Sequence, residues 1–191
     1  MAREEIVSSI SEQLILVDEF DREIGAMPKG QCHEGSGTLH RAFSIFVFNE
    51  NDELLLQQRS AQKPLWPEFW SNTCCSHPRV GETMEEATIR RLDQELGFEC
   101  PLHFLYKFKY QADFGTLGAE HEFCWVYFGR HGGSVDANAS EIANWRYIGV
   151  DELEAELADV PDQFTPWFKM EWVHIRKHFL DQIMSTASVT G

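Results

Sequence analysis

Short apolar runs broken by polar turns organise the first half of the chain. Leu14-Ile15-Leu16-Val17 predicts a buried strand, and residues 18–25 a turn leading out of it. Residues 43–48 and 54–58 are two more apolar runs, and Asn49-Glu50-Asn51-Asp52-Glu53 between them signals a hairpin. Residues 104–112 and 120–130 alternate aromatic and polar positions, as half-buried strands do, and residues 143–148 suggest another strand.

Helical periodicity takes over elsewhere. Within residues 83–96, Ile89, Leu92 and Leu96 form one stripe and Gly97 supplies a stop. Residues 151–158 predict a short acidic helix. A last helix opens at Thr165-Pro166, an N-cap residue type followed by proline at the first helical position. Phe168, Trp172, Ile175, Phe179 and Ile183 then lie along one of its faces. Strands and helices interleave without a regular βαβ repeat, so the pattern predicts an α/β fold with a mixed sheet covered by helices. No repeat or linker divides the chain, which predicts a single domain over residues 12–184 between flexible segments 1–11 and 185–191.

Composition narrows the function classes. The 191 residues carry 16 basic and 31 acidic side chains, a formal charge of −15, which argues against nucleic acid or an anionic membrane as partner. A small phosphorylated substrate stays compatible, since a few local cations are enough for it. The chain holds no apolar run near the roughly 20 residues a membrane helix needs, and its start is unlike a signal peptide. Cys32, Cys74, Cys75, Cys100 and Cys124 contain no CxxC pair and fit free thiols in a reducing, cytoplasmic setting.

Three short segments carry candidate chemistry. In a strand, Glu120 and Glu122 share a face, and two carboxylates on an otherwise aromatic strand are costly to bury without a cation. An isolated Glu-x-Glu is more often a solvated face. Cys75 and His77 are likewise two apart, and a reactive thiol needs a setting that stabilises or transfers the proton, which a nearby metal or carboxylate can provide. His33 and His40 flank the Gly-rich stretch Gly35-Ser36-Gly37-Thr38, which can bend both imidazoles toward one point. Together, three histidines and two carboxylates suit a divalent transition ion in five- or six-fold coordination.

Residues 76–98 resemble the Nudix box, Gly-x5-Glu-x7-Arg-Glu-U-x-Glu-Glu-x-Gly-U with U bulky and apolar. Glu82, Arg90, Leu92, Glu95, Gly97 and Phe98 match, whereas Ser76, Arg91 and Gln94 replace the leading Gly and two of the carboxylates. Those carboxylates hold the ions that activate water in Nudix hydrolases, so their loss argues against hydrolysis. This degeneration, with His40-Arg41-Ala42-Phe43-Ser44, the segment from Trp70 to Pro78, Glu120-His121-Glu122 and Thr165-Pro166-Trp167, is similar to type 1 isopentenyl diphosphate isomerases. The similarity runs from about Leu14 to Trp172.

The resemblance implies a Nudix-type mixed sheet sandwiched between helices. It also implies His33, His40, His77, Glu120 and Glu122 as ligands of one zinc or manganese ion. Glu95 would help hold magnesium on the substrate diphosphate, with Lys29, Arg59, Lys63 and Arg91 contacting the same anion. Glu122, with Tyr110 beside it, and Cys75 would exchange protons with the substrate, in either order. Trp167 would stabilise a carbocation through its ring face. A small prenyl diphosphate is the implied partner, acted on by a monomer or weak homodimer. Two other readings stand beside this one: a Nudix diphosphate hydrolase, and a metal- or prenyl-diphosphate-binding module needing neither Cys75 nor Tyr110.

Overall fold

A computed structural model describes residues 3–186 of the chain. One nine-stranded sheet forms its centre. The strands are β1 (Gln13–Val17), β2 (Glu23–Pro28), β3 (His40–Phe48), β4 (Leu54–Arg59), β5 (Trp70–Ser71), β6 (Cys74–Ser76), β7 (Leu102–Asp113), β8 (Ala119–Arg130) and β9 (Ile142–Ile148). The helices are α1 (Lys29–Cys32), α2 (Met84–Leu96), α3 (Val150–Asp159), α4 (Pro166–His178) and α5 (Leu180–Ser185). The β3 strand is central: it pairs parallel with β8 and antiparallel with β1, β4 and β6. The sheet is therefore mixed, as the interleaved pattern predicts.

Because β3 alternates two apolar sets, it feeds two cores. Ala42, Phe46 and Phe48 pack with Leu153, Phe168, Trp172 and Ile175 from α3 and α4. Phe43, Ile45 and Val47 pack with Ala87, Leu92 and Leu96 of α2. Burying both faces explains why residues 43–48 read as a continuous apolar run, not an alternating one.

Local chemistry sets the ends. Thr83 caps α2 in a reciprocal capping box with Glu86, and Gly97 closes it in the left-handed region at φ 74°. At α4, Thr165 holds the N-cap position with no side-chain cap bond; its hydroxyl meets Ser71 Oγ at 3.0 Å instead. The single last helix predicted from periodicity is interrupted at Phe179 (φ −130°), after which α5 continues the apolar stripe to Ile183.

One expectation changes. The turn predicted over residues 18–25 ends early, because Glu23–Pro28 forms a largely exposed strand against β1. The described part of the N-terminal segment, residues 3–11, lies against the domain, with Val7 buried. At the other end, Ser185 closes α5 and the rest of the expected tail from residue 187 lies outside the described residues.

Candidate active site

The opening of β3 and β8 sets the geometry. In the parallel ladder His40 stands opposite Glu122, and in the antiparallel one Tyr110 of β7 stands opposite Glu122. These three residues therefore occupy one rung, while strand alternation puts Glu120 on the same face as Glu122. His33 follows α1 and is held by backbone contact: Ala119 N–H donates to its carbonyl at 3.0 Å. Gly118, at φ 152°, makes that approach possible, since a Cβ there would sit 2.4 Å from His33 O. His77 completes the cluster directly after β6.

The potential ligand atoms of His33, His40, His77, Glu120 and Glu122 lie within 4.8 Å of one another. His33 Nδ1 and His40 Nδ1 each donate to a backbone carbonyl, of Lys29 and Thr38, at 2.7 Å. That leaves Nε2 of each ring facing the cluster, the arrangement a metal-binding imidazole needs. His40 presents it as a lone pair, whereas without a metal burial opposes protonation of His33 but Glu120 raises it, and this ring gives up its Nε2 proton when a metal binds. His40 Nε2 is buried with no hydrogen-bond partner among the described residues. Burial also holds His40 down at about 4, so its ring stays neutral. An unpartnered lone pair beside two buried carboxylates fits a divalent cation.

The two carboxylates differ. Burial opposes ionisation of Glu120, but His33 Nε2 at 2.7 Å outweighs it and holds the carboxyl down at about 2. Burial, reinforced by the charge of Glu120, pushes Glu122 well above the usual carboxyl range. Glu122 Oε1 lies 3.0 Å from His77 Nε2, and Oε2 accepts a 2.7 Å bond from the Tyr110 hydroxyl. Tyr110 is itself held protonated by burial and by Glu122. One acid and one ionised carboxylate on a single strand are thus set by environment.

Cys75 stands across β3 from this cluster, on β6, paired with Ser44. Its thiol donates to Asn72 Oδ1 at 2.8 Å and receives the Trp167 indole N–H at 3.2 Å. Ser71 ties the set together, donating to Asn72 Oδ1 and accepting from Trp167, both at 3.0 Å. Burial, then the nearby Glu171 carboxyl, pushes Cys75 up to about 12. Asn72, Ser71 and Ser44 are polar neighbours of Cys75 that the sequence does not single out. Their hydroxyl and amide chemistry has no signature until Cys75 is known to need partners. Cys74 is fully buried packing.

Both sides open on one cavity of about 230 Å³, lined by His33, His77, Glu120, Glu122, Tyr110, Cys75 and Trp167. Lys29, Arg59, Lys63 and Arg91 line it too, and each has an internal partner. Arg59 donates to the carbonyls of Leu65 and Trp66 at 2.9 Å and stacks 5.2 Å from the Trp167 ring. Lys63 pairs with Glu141, and Arg91 pairs with Glu95 and with Glu141. Glu141, buried between two of these cations, is another residue the sequence does not single out. Glu95 itself is buried against Arg91 and is not among the cavity's lining residues. No helix among the described residues is long and apolar enough to cross a membrane.

A mixed sheet flanked by helices, with α2 carrying the degenerate box, defines the class. The NUDIX domain family matches residues 38–168. Solved neighbours include a Deinococcus radiodurans protein (TM-score 0.64, 25% identity, covering 78% of this chain and 90% of that one). A MutT NUDIX hydrolase from Burkholderia pseudomallei, at TM-score 0.56 and 16% identity over 70% of this chain and 95% of that one, shares the fold alone. The narrower family follows from whole-length relatives. The isopentenyl-diphosphate Delta-isomerase of Burkholderia multivorans is 46% identical over 83% of this chain and 90% of its own. A second such isomerase, from Aromatoleum aromaticum, is 38% identical over 95% of this chain and 92% of its own. The chain belongs to the isopentenyl-diphosphate Delta-isomerases of the NUDIX superfamily.

Proposed function

We propose the following division of labour in the cavity for the isomerase reaction, which moves the double bond of isopentenyl diphosphate to give dimethylallyl diphosphate. One substrate carbon must take a proton and another lose one, through a tertiary carbocation. Glu122, sharing its proton with the Tyr110 hydroxyl, supplies the first. Cys75, on the other side of β3, removes the second as its thiolate. This order therefore begins with Glu122 protonated and Cys75 ionised, ends with the two states exchanged, and resets by proton exchange with solvent. The observation that carries this reading is that two proton-bearing groups on separate strands line one cavity. Trp167 adds an aromatic ring beside the developing cation, an attraction worth roughly 2 kcal/mol when desolvated, and its N–H stabilises the sulfur while it is ionised.

His33, His40, His77, Glu120 and Glu122 would hold one zinc or manganese ion. When bound, that ion neutralises the paired carboxylates and fixes the orientation of Glu122. Magnesium would arrive on the substrate diphosphate, which Lys29, Lys63, Arg59 and Arg91 attract. Glu95 joins it only by giving up its pair with Arg91. A thiol in the active state needs a reducing compartment, which favours the cytoplasm; we read the working unit as a monomer or weak homodimer.

The neutral thiol favours a second order, in which Cys75 donates and Glu122 removes. Incubation with isopentenyl diphosphate and Mg²⁺ in D₂O separates the two. Glu122 as donor predicts that Cys75→Ala makes no dimethylallyl diphosphate yet still washes deuterium into the terminal methylene of unreacted substrate. Absence of that wash-in in Cys75→Ala, with its retention in Glu122→Gln, would reverse the roles. Full turnover by Cys75→Ala would remove the thiol from the chemistry.

A further inference from the structure

Residues 3–12 run as a strap across the rim of the cavity, and its fastenings are polar and specific. Ala139 N–H donates to Arg3 O, and Asn138 Nδ2 to Glu5 O, each at 2.8 Å. Val7 is then buried, and its carbonyl accepts from Arg91 Nη1 at 3.0 Å. Ser8 Oγ accepts from Lys29 Nζ at 2.8 Å, and Ile10 O accepts from Gly30 N at 2.9 Å. Ile10 lines the cavity although its side chain is largely solvent-exposed, which puts it at the mouth.

The strap thus touches two of the four cations facing the cavity, and it touches them with uncharged acceptors. A lysine ammonium sits on a flexible four-carbon stem whose rotamer freedom is lost on binding an anion. A carboxylate partner would fix the stem but would also neutralise it. The Ser8 hydroxyl restrains Lys29 while leaving its charge for the ligand; Arg91, already paired with Glu95 and Glu141, gains a further fixed bond from the Val7 carbonyl.

We propose that Ser8 and the Val7 carbonyl are positioning groups for the diphosphate: the strap aims Lys29 and Arg91 at the anion and, with Ile10, closes that end of the cavity. The inference rests on the reading of Lys29 and Arg91 as diphosphate contacts. It assigns a binding role to a segment lying outside the region that carries the family's motifs.

The full chain, loaded with its divalent ion, tests it through KM for isopentenyl diphosphate and the inhibition constant of inorganic pyrophosphate. Ser8→Ala is expected to raise both about tenfold, the scale of one hydrogen bond to a charged group, with kcat unchanged. Ser8→Thr restores both, because it keeps the hydroxyl. In a Lys29→Ala background, Ser8→Ala adds nothing, since the two act as one unit. Unchanged constants in Ser8→Ala, while Lys29→Ala raises them, would overturn the strap's role and leave the diphosphate reading intact. Tighter pyrophosphate binding by Ser8→Ala would also overturn it, by showing that the strap competes with the anion. If Lys29→Ala leaves both constants unmoved, the underlying reading of Lys29 fails, and the strap proposal with it.

Discussion

On one side of β3, the working side chains are ionisable and touch each other; on the other, they are neutral and pass hydrogen bonds. The β8 side holds Glu120 and Glu122 among three imidazoles, with His40 Nε2 unpartnered. The β6 side holds a thiol, an amide, a hydroxyl and an indole, each bonded to the next at 2.8 to 3.2 Å. The first arrangement is incomplete without a cation, because buried like charges are costly. The second is already satisfied. In the proposed mechanism, one of the two proton-handling groups therefore depends on a metal and the other is independent of it.

The largest effect separates the two sides. Cys75→Ala and Glu122→Gln should each lower kcat about a thousandfold, within the range for removing a general acid or base. Metal content measured after desalting should distinguish them: Cys75→Ala keeps its divalent ion, and His40→Ala loses it. Chelation should lower the Tm of wild type and of Cys75→Ala alike, since a ligand of the native state adds stability in proportion to the logarithm of its saturation. Loss of metal from Cys75→Ala would show that the two sides are one unit.

A smaller effect tests the neutral chain. Trp167→Phe keeps an aromatic ring and removes the indole N–H shared by Ser71 and Cys75. One lost hydrogen bond of about 1 kcal/mol predicts a kcat reduced several-fold, with metal content and KM unchanged. A thousandfold loss would mean that the indole is needed for more than orienting sulfur.

The same contrast explains what could be read from the sequence. Glu120, Glu122, His33, His40 and His77 are chemically conspicuous, and the strand period alone puts both carboxylates on one face. The box in α2 and its missing carboxylates are legible because helix spacing is regular. The neutral partners were not: Ser44 of β3, Ser71 of β5 and Asn72 just after it converge on Cys75 and Trp167. The strand Glu23–Pro28 escaped for a related reason, since it is mostly exposed and lacks the apolar alternation that marks a strand. The long stripe from Phe168 to Ile183 gives the right face of α4 and α5, but not the break at Phe179, where the backbone departs from helix. The strap at residues 3–11 looks small and polar, and its order comes from tertiary hydrogen bonds to its backbone. Of the Lys and Arg residues, Lys29, Arg59, Lys63 and Arg91 all reach the cavity, yet their buried partners Glu95 and Glu141 depend on packing between α2 and the segment before β9.

Glu171 sharpens the comparison most finely, because it is a buried carboxyl with neither a cation nor a metal cluster. It is fully buried on α4, one turn after Trp167, with Cys124 Sγ 3.6 Å from Oε1 and Oε2 unpartnered among the described residues. The groups facing it are Ser44 of β3, Cys124 and the more distant Glu122 of β8, Cys75 of β6, and Tyr106 of β7. Burial raises it from the usual 4.5 to about 8, with its bonds to Ser44 and Cys124 pulling only weakly the other way. The folded state therefore keeps a proton that the unfolded chain has lost. Stability should fall as pH rises between about 4.5 and 8 and level off above that, by up to about 1.4 kcal/mol per pH unit. Glu171→Gln preserves the shape and removes the ionisation, so its stability relative to wild type should be about level at pH 4.5 and greatest at pH 8. Denaturant melts of both proteins across that range, at saturating divalent ion, measure the gap directly. A gap independent of pH would mean that Glu171 is ionised in the fold, and the thiol side would then share the charge dependence of the other.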